Sequence, residues 1–266
     1  MSEYFDYIHE GRPIDDIEII DAHAHLGPSG GFHVPKCSPE DMIRMMDTCG
    51  IDKTVVSPTP GITGDMVFGN NLMLDEVKKH RGRLYGACYV NGNYPELSVD
   101  ELNRCFGEDS DVVIMKIHPI LAKCGMNDRR MKKMYEFASA RKLFVIVHTW
   151  LDEDPYGNLD IFSGVVRDYP DINWLMGHSG GPYGGRRAVE IAIESPNVFL
   201  DITMSMCPAR QIEFFVGEVG SERVIFATDN PFIDPRPSIG RIALAEISRE
   251  DMINIFGGNA KRLTGI

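Results

Sequence analysis

The chain has 266 residues, 43% of them hydrophobic, with a formal charge of −12 at pH 7. That length suits one large α/β barrel or two ordinary domains. The acidic balance argues against a nucleic-acid partner, because a phosphate backbone wants a basic face. No apolar run approaches the roughly 20 residues of a membrane span, so no membrane partner is expected.

Residues 1–16, MSEYFDYIHEGRPIDD, read as a short polar extension without the basic-then-apolar pattern of a signal peptide. Cys37, Cys49, Cys88, Cys105, Cys124 and Cys207 are scattered, with no Cys-x-x-Cys pair. Reduced thiols and a cytoplasmic location are the expectation. Strand-like apolar runs begin near Ile17, Thr54, Leu84, Val112, Leu143, Asn173, Val198 and Val224. Helical spacing fills the intervals. Ser38-Pro39-Glu40-Asp41 reads as an N-cap with Pro at the first helical position, followed by Met42, Met45, Met46 and Cys49. Asn127-Asp128 opens another helix through Met131, Met134, Tyr135 and Ala138, and Pro208, Ile212, Phe215 and Val219 mark a third. Gaps of roughly thirty residues suit a strand, a crossover helix and two loops. Eight such units predict a single (β/α)8 TIM barrel over residues 1–266. A doubly wound sheet is the alternative, but it would need fewer strands and a Gly-rich turn after the first one, where this chain has histidines. The tail DMINIFGGNAKRLTGI reads as a short helix, a Gly-Gly break and a last helix capped by Asn259.

The first strand-like run ends in Asp21-Ala22-His23-Ala24-His25. Two histidines one residue apart on a strand point to the same side and form a two-imidazole clamp for a divalent metal. Three later runs also end in a ligand type: LFVIVHT in His148, NWLMGHSGG in His178 and VIFATDNP in Asp229. Alternation predicts that Ile19, Asp21, His23 and His25 share a face. The same holds for Phe144, Ile146 and His148, for Trp174, Met176 and His178, and for Ile225, Ala227 and Asp229. Taken singly, a strand-end His is more often a hydrogen-bonded core residue, and an Asp before Asn-Pro a turn. Recurrence at the C-terminal ends of the strands, where barrels of this kind keep their active sites, favours a metal site. In VVIMKIHP, Lys116 and His118 share an inward face. His33 lies in the Gly-rich loop after the first strand.

The ordered set IIDAHAHLG, VHT, MGHSGG, FATDNPF and NIFGGNAKRLTG resembles the amidohydrolase superfamily, and most of all its branch containing aminocarboxymuconate-semialdehyde decarboxylase. The resemblance spans nearly the whole chain. It implies that His23, His25, His148 and Asp229 bind one divalent ion, usually zinc, with His178 as an acid–base or polarising group. Asp229 would also serve as a proton acceptor. The implied activity is metal-dependent hydrolysis of a C–N or C–O acyl bond in a small molecule by a metal-activated water. The alternative is metal-dependent, non-oxidative decarboxylation of an unsaturated or aromatic acid. Lys116 is a carbamylated bridge between two metals, a charge that binds a substrate carboxylate, or an ion-pair partner, and the last two are favoured. His118, Trp150 and Arg236 are candidate substrate contacts, each with a packing or local-pairing reading beside it. A homodimer is the assembly that relatives suggest. A metal-binding protein without turnover is disfavoured by the presence of both His178 and Asp229.

Overall fold

Eight strands form close to the predicted runs: β1 (Ile20–Leu26), β2 (Lys53–Pro58), β3 (Leu84–Val90), β4 (Val112–Ile117), β5 (Phe144–His148), β6 (Asn173–Gly177), β7 (Val198–Asp201) and β8 (Val224–Ile225). The computed structural model describes residues 3–107, 111–150, 153–203 and 207–266. The strands pair in parallel in sequence order. The segment after β8 then folds onto β1. Ala22 N donates to Phe226 O at 3.1 Å, Asp229 N to His23 O at 2.8 Å and His25 N to Asn230 O at 2.7 Å. These bonds shut the sheet into a (β/α)8 barrel and remove its edges.

Two apolar cores follow from closure. Ile20, Ala22, Val55, Ala87, Ile114, Phe144, Ile146, Leu175, Phe199 and Ile225 form one cluster with a residue from every strand. Such a set meets only inside the barrel. A larger cluster, including Ile19, Met46, Met134, Trp174 and Phe215, fills the space between strands and helices. Strands buried on both faces explain why the runs read as continuous apolar stretches.

The helix Pro39–Cys49 starts as its sequence predicts. Ser38 Oγ accepts from Asp41 N at 3.1 Å, while the Asp41 carboxylate accepts from Ser38 N at 3.3 Å, a capping box. Asp128 caps one 3-10 turn, Arg129–Met131, that feeds the helix Lys132–Ala140. The third helix runs over Gln211–Val219. Near the N-terminus, the helix Phe5–Glu10 is flanked by Tyr4 and Ile14, both buried in the outer core. Among the described residues, no helix is long and apolar enough to cross a membrane.

The tail departs from its sequence reading. The helices Arg249–Ile253 and Asn259–Thr264 are joined by a π turn over Asn254–Gly258, so the chain does not break at the two glycines. Gly257 is there because a Cβ would lie 2.4 Å from the Glu18 carbonyl oxygen. Asn259 is not a cap. Its buried amide donates to Ser221 O at 2.8 Å and Val224 O at 2.9 Å, tying the last helix to the start of β8.

Replacing Asn259 by alanine removes the buried amide donor that the Ser221 and Val224 carbonyls share. Asn259→Ala is expected to lower unfolding free energy by about 2–3 kcal/mol, read from urea denaturation. An unchanged midpoint would contradict this anchoring role.

Candidate metal centre

The backbone delivers the predicted ligands by routes that strict alternation does not describe. The register of β1 against β2 shifts between Asp21 and Ala24. Ile20 and Ala22 therefore belong to the inner core, Ile19 to the outer one, and His23 and His25 also turn toward the mouth. The bulge supplies the extra residue that lets both pairs face the same way. Asp21 is used up in holding it: its Oδ1 accepts from His23 N at 3.2 Å and Thr228 N at 3.1 Å, and the Thr228 hydroxyl donates to Oδ2. On β6, Leu175 faces inward, while Trp174 and Met176 lie in the outer core. His178 reaches the mouth because its backbone is left-handed (φ 62°), as is that of Ser179 (φ 44°). Asp229 is left-handed too (φ 63°). Non-glycine residues in this region cost about 1–3 kcal/mol each and concentrate at functional sites. On β5 the predicted shared face of Phe144, Ile146 and His148 agrees with the inner core, and on β4 Ile114 lies in that core in phase with Lys116.

At the mouth, the ligand atoms of His23, His178 and Asp229 all lie within 4.8 Å of one another. His25 Nε2 stands 3.0 Å from Asp229 Oδ1, and His23 Nε2 stands 3.7 Å from the same oxygen. His148 joins through its Nδ1, 3.1 Å from His178 Nε2. The far sides of two rings are held. His178 Nδ1 lies 3.2 Å from the Thr203 carbonyl oxygen, and His23 Nδ1 lies 2.7 Å from Asp201 Oδ2. Lys116 Nζ is 2.7 Å from His23 Nε2 and is fully buried. His118 stacks on His148 with centroids 3.9 Å apart, and its Nδ1 accepts from Leu121 N at 3.5 Å. Five of the eight histidines thus converge on one point.

The charges explain what this cluster can hold. Burial, and then the Lys116 ammonium, push His23 down to about 4, and burial lowers His25, His118 and His148. These four rings are pushed toward the neutral form, the form that binds metals. Burial opposes ionisation of Asp229, but His25, His178 and His23 more than reverse it. Asp201 likewise ends below the usual carboxylate range, through His23, His178 and the Thr203 N–H. Burial pushes Lys116 down to about 8 and Asp21 up to about 8. Near pH 7, two buried carboxylates therefore face one ammonium. His25 Nδ1 has no hydrogen-bond partner, and Asp229 Oδ1 faces imidazole nitrogens, His25 Nε2 at 3.0 Å and His23 Nε2 at 3.7 Å. A deficit of one positive charge beside unpaired lone pairs is what a divalent cation relieves, and an imidazole–carboxylate set suits zinc, manganese and related ions.

The amidohydrolase family profile matches residues 20–266. The chain belongs to the amidohydrolase family. No curated protein matches it. Among solved structures, it is similar to an uncharacterized TIM-barrel protein from Bordetella bronchiseptica, with 19% identity, 94% of this chain and 99% of that one covered, and a TM-score of 0.78. It is similar to 2,6-dihydroxybenzoate decarboxylase from Rhizobium (15% identity, 94% and 99% covered, TM-score 0.74). The third is 5-carboxyvanillate decarboxylase from Novosphingobium aromaticivorans, complexed with manganese and 4-hydroxy-3-methoxy-5-nitrobenzoic acid (15% identity, 95% and 97% covered, TM-score 0.74). At such identities these likenesses speak for the fold.

In this amidohydrolase the cluster forms the floor of a cavity of about 520 Å³, ample for a small molecule. Its walls include Phe32, Ile62, Leu121, Trp150, Phe232 and Ile233, with His25, His118, His148, His178 and Asp229 exposed on them. Phe32 and Phe232 stack at 4.9 Å, Phe232 lies 4.8 Å from the His25 ring, and Trp150 meets His178 edge-on at 5.4 Å. Trp150 and His118 are therefore in place to touch a substrate. Lys116 is not on the cavity wall; it sits beneath it, against His23. Arg236 does not reach the cavity at all: it pairs with Asp234 at the start of the helix Pro235–Ala243, with an exposed side chain. Its place in the first turn aims it outward. His33 is exposed and off the cavity wall. A larger groove of about 790 Å³, between residues 126–135 and the helix Leu159–Asp168, lies outside the barrel and holds none of these imidazoles. Asp201 escaped the sequence reading, although VFLD ends in an acid just as VIFATD does. Phe32 and Phe232 carried no signal, because loop aromatics become walls only once the loops are placed.

Manganese or zinc at a hundredfold excess over its Kd is expected to stabilise the protein by about 2.7 kcal/mol. Asp229→Ala and His148→Ala are each expected to abolish or sharply reduce that gain in a thermal melt. A melting temperature indifferent to both metals would remove the site.

Proposed function

We propose that this amidohydrolase-family protein is a metal-dependent, non-oxidative decarboxylase of a small aromatic or otherwise planar unsaturated carboxylic acid. The observation that carries this reading is the division of the cavity: aromatic and aliphatic walls around a floor of imidazoles and one carboxylate. A flat ring fits between such walls, and its carboxylate is drawn to the floor, the cationic end once a metal is bound. The decarboxylases of like fold, one of them complexed with manganese and a nitrobenzoic acid, support the same substrate class. This reverses the order of the two activities drawn from the sequence.

His23, His25, His148 and Asp229 would hold the ion, with His178 beside it; one zinc or manganese ion suits this donor set. When bound, the ion supplies a Lewis acid that orients the substrate oxygens and draws electron density from them. The protein's own groups handle the rest. Decarboxylation adds a proton to the carbon that carries the carboxylate, breaks the C–C bond and releases carbon dioxide. His178, held through Nδ1 by the Thr203 carbonyl, turns Nε2 toward the cluster, which suits it to pass that proton together with Asp229. Trp150 and Phe232 keep the ring in register and exclude water.

Hydrolysis of an acyl bond is the second reading. It is favoured by the place of the Asp229 carboxylate at the mouth, with Oδ1 3.0 Å from His25 Nε2, where it would take the proton of an attacking water. Incubation of the manganese- and zinc-loaded enzyme with carboxyl-¹³C-labelled hydroxybenzoates decides between them. Labelled carbon dioxide with the matching phenol is expected. Acid release from amides, esters or lactones with no labelled gas would replace this reading by hydrolysis.

Removal of one aromatic wall should act on binding more than on turnover. Trp150→Ala is expected to raise KM about tenfold for an active acid, in line with the worth of one aromatic contact, with kcat falling less. An unchanged KM would place the ring elsewhere in the cavity.

A further inference from the structure

We propose that Asp201, at the end of β7, is a positioning residue that dictates which nitrogen of His23 carries the proton, and so keeps Nε2 bare for the cation; this rests on the metal-dependent reading above. Asp201 and His23 are both fully buried. Asp201 Oδ1 accepts from Thr203 N at 2.6 Å, and Oδ2 lies 2.7 Å from His23 Nδ1. A carboxylate can only accept. The His23 proton therefore sits on Nδ1, and the lone pair sits on Nε2, which faces Lys116 Nζ at 2.7 Å and Asp229 Oδ1 at 3.7 Å. An imidazole binds a metal through a bare nitrogen, and the hydrogen bond on the other nitrogen selects it.

The Thr203 N–H makes the arrangement testable by exchanging one atom. The amide of Asp201→Asn has one accepting end and one donating end. Thr203 N–H requires the accepting end, so the NH₂ group faces His23 Nδ1. Two donors cannot share that contact, and the ring proton is driven to Nε2, where the metal has to bind and from which Lys116 Nζ must then move aside. Turning the amide over would instead set NH₂ against the Thr203 N–H. In Asp201→Ala the carboxylate is gone, but Lys116 Nζ, 2.7 Å from Nε2, still favours the proton on Nδ1, so His23 continues to offer Nε2. The variant that best preserves shape is thus the one that binds metal worst. A merely structural role predicts the opposite order, because Asn fills the site and Ala leaves a hole.

Wild type, Asp201→Asn and Asp201→Ala are compared by manganese titration of the metal-free full chain, and the His23 tautomer is read from ¹⁵N imidazole shifts. Asp201→Asn is expected to bind manganese at least about tenfold more weakly than Asp201→Ala, with both weaker than wild type. In the metal-free proteins the proton is expected on Nδ1 in wild type and on Nε2 in Asp201→Asn. Binding by Asp201→Asn equal to wild type or tighter than by Asp201→Ala overturns the proposal, as does a proton retained on Nδ1 in Asp201→Asn. If Asp201→Ala does not fold, the Asn variant and the nitrogen shifts decide. Wild type that takes up no manganese ends the metal reading, and the same shifts still decide where Asp201 puts the proton.

Discussion

Buried charge that the protein alone does not balance is the constraint behind this structure. Asp201 and Asp229 are both buried at the barrel mouth, and the rings packed around them favour their ionised forms. One ammonium, Lys116, faces both. Burial pushes His23, His25 and His148 toward their neutral forms. A bare buried anion costs several kcal/mol. Imidazole nitrogens gathered around a buried carboxylate offer lone pairs to a cation and little to anything else.

The barrel meets this constraint by local departures from regularity. The bulge in β1 points two histidines and two inner-core residues the same way, and Asp21 with Thr228 fastens it to the segment that closes the sheet. His178 and Asp229 sit in left-handed backbone that glycine would occupy more cheaply. Glycine has no ligand to offer, so the strain persists where the side chain is needed and the closed sheet around it fixes the geometry. The same closure aligns the strand ends, so that groups more than two hundred residues apart, such as Asp21 and Thr228, share a hydrogen bond.

The cavity above the floor is built differently. Its walls are apolar and come mostly from loops and short helices: Phe32 from the loop after β1, Ile62 from the helix Thr59–Thr63, Leu121 from the helix Pro119–Ala122, and Phe232 from the turn after β8. Strand ends thus bring the reacting groups, and loops shape the space for the substrate, the division of labour that lets one barrel serve many reactions. The proposed decarboxylation draws on both parts, because a planar acid needs walls that hold its ring and a floor that attracts its carboxylate.

The eight strands, their parallel order and the polar residues at their ends were legible in the amino-acid sequence, because strands buried on both faces write long apolar runs and the residue after such a run has to sit at the mouth. His23, His25, His148, His178 and Asp229 could be read for that reason. Alternation failed at Ile19 and Trp174, since a bulge or one left-handed residue reverses a face without leaving a trace in composition. The cap reading failed at Asn259, where a buried amide serves two carbonyls that only the folded chain brings to it. The contact of Lys116 with His23 and the pairing of Asp201 with His23 were decided by tertiary structure alone. Each depends on a distance between elements far apart in the chain, and a linear sequence holds no such distance.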